Sequence, residues 1–151
     1  MSNHYFQLLR ERFPESILEG KVHSPKRVYL TVKKESLVEV AKFVFRVMDA
    51  RFSTASAVDC LDRIEILYHF SLDSQDVFIS LRVVIPRERP AVPSLSGVIK
   101  GAAWIEREMH ELFGVNFEGH PRLNRLLLPE DWPENVYPLR KDNQDKDIGK
   151  G

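Results

Sequence analysis

Apolar residues recur along this chain with two periods, and each change of period marks an element. In "RVYLTV" (27–32), Val28, Leu30 and Val32 alternate with Tyr29 and Thr31, the two-residue period of a strand with one buried face. The runs "RIEILYHF" (63–70) and "DVFISLRVVI" (76–85) repeat that period. Ile64, Ile66, Tyr68 and Phe70 share one face of the first; Val77, Ile79, Leu81, Val83 and Ile85 share one face of the second. The link between them, "SLDSQ", is short and polar, so they are expected to pair as an antiparallel hairpin. A shorter strand is expected over 52–58.

Elsewhere the period is helical. "HYFQLLRERF" (4–13) places Phe6, Leu9 and Phe13 at near-helical spacing, and Pro14 ends it. Ser36 opens a second helix, with Glu39 placed to complete a capping box. Leu37, Val40, Ala41, Val44, Val47 and Met48 form one stripe running to about Ala50. A third helix is predicted from Lys100 to Phe113, with Ala102, Ile105, Met109 and Leu112 on its buried side and Gly114 as a left-handed C-cap. Between the last strand and this helix, "PRERPAVPSLSG" reads as an irregular crossing loop. After Gly119, Pro121, Pro129, Pro133 and Pro138 exclude a long helix or a central strand. The expected fold class is α+β: a small, mainly antiparallel sheet with helices packed on it, plus an extended proline-rich C-terminal arm. Residues 1–118 form the domain, 119–142 the arm and 143–151 a flexible tail.

Composition narrows the function. The 151 residues suffice for one domain with a single core. Twenty-two basic residues balance twenty-two acidic ones, which argues against a nucleic-acid partner held by phosphate neutralisation and gives no general pull toward anionic lipid. Cys60 is the only cysteine, so no intramolecular disulfide and no cysteine-based metal cluster can form within the chain. The best apolar run, "LVEVAKFVFRVM", is interrupted by Glu39, Lys42 and Arg46. No membrane-spanning helix is expected, and any membrane association would come through a partner.

The densest candidate chemistry is "EREMHE" (106–111). Glu106 and His110 are four apart on one helical face, as are Arg107 and Glu111. A zinc hydrolase would need His-Glu-x-x-His, but "HELFG" puts Gly114 where the second histidine belongs. A di-iron bundle would need Glu-x-x-His, but Arg107 stands three before His110. His4, His23 and His69 lie on separate elements. No nucleophile elbow, phosphate loop or dinucleotide fingerprint is present. Cys60 reads as a small packed thiol. The plain reading of "EREMHE" is a solvated helix face with intrahelical pairs of about 0.3–0.5 kcal/mol each. The sharper reading is a set of ion pairs across a subunit interface, for which the planar fork of arginine is suited. The arm "RLLLPEDWPENVYPLRKD" favours the second reading, because its large apolar side chains, Trp132 and Tyr137 among them, would need a cover.

Longer motifs then resemble a known family. "WIEREMHELFGVNFEGHPRLNRLLLPEDW" resembles the signature of the C-type, thirty-kilodalton subunit of respiratory complex I. Its elements here are Glu106-Arg107-Glu108, Glu111, Leu112-Phe113-Gly114, Gly119-His120-Pro121, Arg125 and the closing run from Pro138 to Asp142. "DRIEILYHF" and "IPRERPAVPSLSGVIKGAAW" also look like this family, so the likeness covers about 58–142. It implies a peripheral, non-catalytic subunit on the cytoplasmic face of the cell membrane, with no cofactor of its own. Its implied partners are a large catalytic or quinone-site subunit and a small iron–sulfur subunit, with membrane ion-pumping subunits joined indirectly. Iron–sulfur clusters and a nickel–iron centre would lie in those partners. Val136-Tyr137 replaces the Gly-His that often precedes Pro-Leu-Arg-Lys-Asp in respiratory complex I. That departure resembles energy-converting hydrogenases and sulfur-reducing complexes more than the NADH:quinone or ferredoxin:quinone type. On this reading Glu106, Arg107, Glu108, Glu111, Trp132 and Tyr137 bind the partner, and His120, Arg125, Arg140 and Lys141 lock the arm. The competing expectation is a stand-alone metal-dependent enzyme using Glu106, Glu108, His110 and His120.

Overall fold

The computed structural model describes residues 2–123 and 137–140. Its centre is a five-stranded sheet in the order β1-β2-β5-β4-β3. The strands are β1 (Ile17–Ser24), β2 (Arg27–Val32), β3 (Arg51–Asp59), β4 (Arg63–Leu72) and β5 (Val77–Pro86). β2 and β5 run parallel, with Val28 opposite Ile79 and Leu30 opposite Leu81; every other pair is antiparallel. The expected hairpin is β4–β5, in register from Arg63–Pro86 to Leu72–Val77.

The alternation of each strand sends one set of side chains to the core. Val28 and Leu30, then Ile64, Ile66, Tyr68 and Phe70, and Ile79, Leu81 and Val83 have no exposed surface. Helix α1 (Ser2–Arg12) adds Leu9 to this cluster, α2 (Leu37–Lys42) adds Leu37, Val40 and Ala41, and α3 (Ala102–Phe113) adds Ala102 and Met109. All three helices therefore pack on the same face. The opposite face carries Glu65, Leu67, His69, Phe78, Arg82 and Val84, which are half-buried or exposed. This is the expected α+β class.

Three features depart from the sequence reading. β1 is not among the expected strands: after Ile17 its residues are exposed or half-buried, so it carries no apolar alternation. It exists because the tight turn after Ser24 folds it onto β2. The crossing loop also contains a strand, β6 (Ala91–Pro93), which pairs in parallel with β7 (Asn116–Glu118) after α3. No local pattern announces three-residue strands, because pairing alone creates them. The helix expected from Ser36 to Ala50 is shorter and irregular. A 3₁₀ turn at Lys34–Ser36 leads into α2, and a π-helical turn at Phe43–Val47 ends it. Ser36 makes no side-chain cap hydrogen bond, so the capping box does not form. The π turn adds a residue to the winding and rotates the residues after it by about 100°. Val44 stays fully buried, while Val47, expected on the same stripe, is 68% exposed.

That shift of phase is measurable. Val44→Ala is expected to cost about 1.5–3 kcal/mol in urea unfolding, as deletion of fully buried methyls does. Val47→Ala is expected to change stability by less than about 0.5 kcal/mol. Equal losses at both positions would restore the regular stripe.

A candidate partner-binding site on helix α3

α3 is aligned by an acid rather than by apolar contact alone. Glu106 lies at helical spacing from Ala102 and Met109 and has no exposed surface. Its Oε2 accepts hydrogen bonds from the Tyr68 hydroxyl at 2.8 Å and the Leu95 backbone N–H at 2.9 Å. Its Oε1 accepts one from the Ser94 hydroxyl at 2.6 Å. One carboxylate thus ties the helix to β4 and to the crossing loop. Burial pushes its pKa above the ordinary 4.5; the donors from Leu95, Ser94 and Tyr68, and the proximity of His120, pull the other way. Burial, with the Glu106 charge beside it, raises the Tyr68 phenol well above its usual value. Glu106 therefore does not present its charge at the surface of this chain. The intrahelical pair with His110 is also absent: His110 Nδ1 donates to the Val115 carbonyl at 2.8 Å.

The same helix fixes the start of the expected arm. His120 Nε2 donates to the Ala103 carbonyl at 2.8 Å, while its Nδ1 accepts the Arg122 backbone N–H at 2.9 Å. In a neutral ring those two bonds select the tautomer that carries its proton on Nε2. At the other end, Gly114 adopts φ 78°, and its N–H caps the His110 carbonyl at 2.9 Å. Two further terminal carbonyls are satisfied from residues 137–140. The Leu139 N–H reaches Leu112 O at 3.0 Å, and Arg140 Nε reaches Phe113 O at 2.7 Å. The Tyr137 ring lies 2.5 Å from where a Cβ on Gly114 would stand, so that position needs glycine for space as well as for backbone angle. The Arg140 guanidinium lies 5.7 Å from the centre of that ring.

The outward side of α3 carries Trp104 and Arg107. Trp104 is 59% exposed, and the Arg107 guanidinium lies 5.7 Å from its ring centre. Arg107 Nε is buried and has no hydrogen-bond acceptor among the described residues. Glu108 is half-buried and Glu111 buried. Arg125, Trp132 and Lys141 lie outside the described residues, as do most of the expected arm and the tail.

Other polar clusters lie on the sheet and at the ends of its strands. Asp59, 3% exposed, takes a bidentate pair from Arg87, with both contacts at 2.9 Å. His69 sits between Ser80 at 2.7 Å and Ser56 at 3.3 Å, and burial lowers its pKa. The half-buried Cys60 thiol donates to Glu65 at 3.2 Å, and burial raises its pKa. Among the described residues no three His, Cys, Asp or Glu side chains converge as a metal-ligand group. No described helix is long and apolar enough to cross a membrane.

Fold and site define an α+β module built around an internal carboxylate, with an open aromatic–arginine face. The family model for the respiratory-chain NADH dehydrogenase 30 Kd subunit matches residues 30–147, and the chain belongs to that family. It is 38% identical over 140 residues to the C-type subunit of the NADH-quinone oxidoreductase of Roseiflexus sp., covering 89% of this chain and 79% of that protein. It is 33% identical over 143 residues to the membrane-bound hydrogenase subunit beta of Pyrococcus furiosus, covering 90% and 82%. Formate hydrogenlyase subunit 5 of Escherichia coli is 31% identical over 149 residues, which are 96% of this chain but 26% of that longer one. In the solved structure of the membrane-bound sulfane sulfur reductase, an archaeal respiratory membrane complex, one chain shares this fold. Its TM-score is 0.78 at 24% identity, over 93% of this chain and 84% of that one.

Sequence reasoning found Glu106 but not its partners. Tyr68, Ser94 and Leu95 are far away along the chain, though an acid on an apolar stripe was the local signal that a donor set must exist. Glu106→Ala is expected to cost about 3–5 kcal/mol, since it leaves buried donors without an acceptor. A folded-state pKa raised above the unfolded one contributes stability below the unfolded value and loses it as pH rises through the folded value. Wild-type stability should therefore fall, relative to Glu106→Gln, as pH climbs from the ordinary 4.5 through the raised value. Urea midpoints measured across pH for the pair check this, and a constant difference would contradict it. Gly114→Ala is expected to cost at least about 1–2 kcal/mol from its left-handed backbone alone, read as a lowered thermal midpoint.

Proposed function

We propose that this chain is a non-catalytic peripheral subunit that scaffolds the large catalytic subunit of a complex I-related, membrane-bound, ion-translocating oxidoreductase. The observation that carries the reading is the outer face of α3. There an exposed Trp104 stacks on an arginine whose Nε is buried and has no acceptor among the described residues. An arginine already oriented by a ring loses little freedom on binding, and a partner carboxylate would meet the terminal nitrogens of its guanidinium. Tryptophan and arginine are also the residue types that dominate interface energetics.

Arg107 and Glu108 are the first anchors, with Glu111 behind them. Glu106 acts by positioning the helix from inside. His120 and Arg140 hold the two ends of the described arm against α3, and Arg125, Trp132, Tyr137 and Lys141 extend the contact. The formate hydrogenlyase relative supports a role beside a larger polypeptide, because there this region is a quarter of one. The partners are the large subunit and a small iron–sulfur subunit, which hold the iron–sulfur clusters and any nickel–iron centre. The chain sits on the cytoplasmic face of the membrane, held by these subunits and reaching the ion-pumping subunits through them.

The energy-converting hydrogenase or sulfur-reducing type is the preferred assembly, supported by Val136-Tyr137 in the closing run and by the Pyrococcus furiosus relative. The Roseiflexus relative supports a second reading, the same role in a NADH:quinone or ferredoxin:quinone oxidoreductase. Purification of a tagged copy from native membranes in mild detergent, with mass spectrometry of the proteins that accompany it, tests both. Recovery with a large subunit is expected, and nickel ligands in that subunit would select the hydrogenase. Arg107→Ala is expected to lower the recovered large subunit by about tenfold, the scale of one lost interfacial ion pair. An intact complex with lost turnover would overturn the scaffold role.

A further inference from the structure

A groove of about 530 Å³ lies where the π-helical turn meets the start of α3. Phe45, Phe52 and Val98 line it as half-buried apolar surface, and Arg46, Arg51 and Lys100 line it as exposed cations. Among the described residues no carboxylate lines it. Arg51 is answered by Asp73 at 2.9 Å, but Arg46 and Lys100 have no ion-pair partner among the described residues. An apolar trough beside two unanswered cations is complementary to an apolar segment that carries a negative charge.

The backbone explains why the groove is open. The π-helical turn keeps Val44 inside and sends Phe45 and Arg46 toward the groove, while Val47 stands 68% exposed beside them. Gly101, on the groove's other wall, has no side chain to fill it. Gly101 is one helical turn from Trp104, so groove and stacked tryptophan–arginine pair lie along one side of α3. A shallow trough continuous with a flat face suits an extended or helical stretch of polypeptide better than a small enclosed ligand.

We propose that this groove receives an apolar segment of a partner subunit, anchored by an aspartate or glutamate that pairs with Arg46 and Lys100. The inference rests on the scaffold reading for the existence of a partner, and adds a second contact and the chemistry of the segment that fills it.

The test is photo-crosslinking in intact cells, before any extraction, with Val98→p-benzoylphenylalanine in the full-length chain. Val84→p-benzoylphenylalanine, on the opposite face of the sheet, serves as the control. The expected product at Val98 is a crosslink to one partner subunit, within a peptide that holds apolar residues and at least one carboxylate. Arg46→Glu with Lys100→Glu is expected to lower its yield by about tenfold or more, as like charges facing each other do. Reversing the identified carboxylate to lysine is expected to restore the yield, which separates charge pairing from damage to the fold. A crosslink to this chain's own residues, to lipid, or to a segment without an acid would overturn the inference, and so would no crosslink above the Val84 control. Co-purification reports separately: a large subunit recovered without a groove crosslink sinks only this inference, and a chain recovered alone sinks the scaffold role.

Discussion

The Glu106 carboxylate holds together parts of the chain that hydrophobic burial alone would leave free to slide. Leucines and isoleucines pack in many registers, but a buried carboxylate tolerates only the position where its lone pairs meet donors. Here those donors come from strand β4, through Tyr68, and from the crossing loop, through Ser94 and Leu95. Taking a charge out of water is costly, so the three bonds act as an index mark more than as a large net gain. With Glu106 pointing inward, the next residue, Arg107, is turned about 100° away and lies half-buried beside the exposed Trp104. The chemistry offered outside follows from the carboxylate held inside.

The C-terminal end of α3 shows a second constraint, that of its unsatisfied carbonyls. An isolated helix leaves its last four carbonyls without intrahelical partners. Gly114, Leu139 and Arg140 answer three of them, at His110, Leu112 and Phe113. A glycine that turns the chain also clears room for the Tyr137 ring. Residues 137–140 thereby become part of the helix terminus. Near the helix start His120 adds a side-chain bond to the Ala103 carbonyl, which the helix already uses, and so ties its own segment to the helix rather than capping it. The chain on either side of the undescribed stretch is pinned to one helix, which agrees with the proposed docking of a partner along it.

Much of the fold was legible in the sequence because period reports burial directly. β2, the β4–β5 hairpin and the span and C-cap of α3 all carry their pattern within ten or so residues. The misses have a common cause. β1, β6 and β7 are held by partners elsewhere in the chain and have no amphipathic pattern of their own. The π-helical turn breaks the stripe after Val44 without any proline or glycine to announce it. The site was half legible: its residues stand in "EREMHE", but the donors that meet the inward acid lie far away along the chain. Glu106 continues the apolar stripe through Ala102 and Met109, whereas Glu108 does not, and that distinction was the usable signal.

By itself, then, the sequence determined the class of fold, the absence of any cysteine pair, the balance of charge and the motifs that carry the family likeness, since each is written in residue type and spacing. Only the tertiary structure decided what the charged helix does. A carboxylate among apolar neighbours reads the same in one dimension whether it faces water, a metal or a tyrosine. Its role is set by the groups that a distant strand and loop bring within 3 Å, and those distances do not exist until the chain has folded.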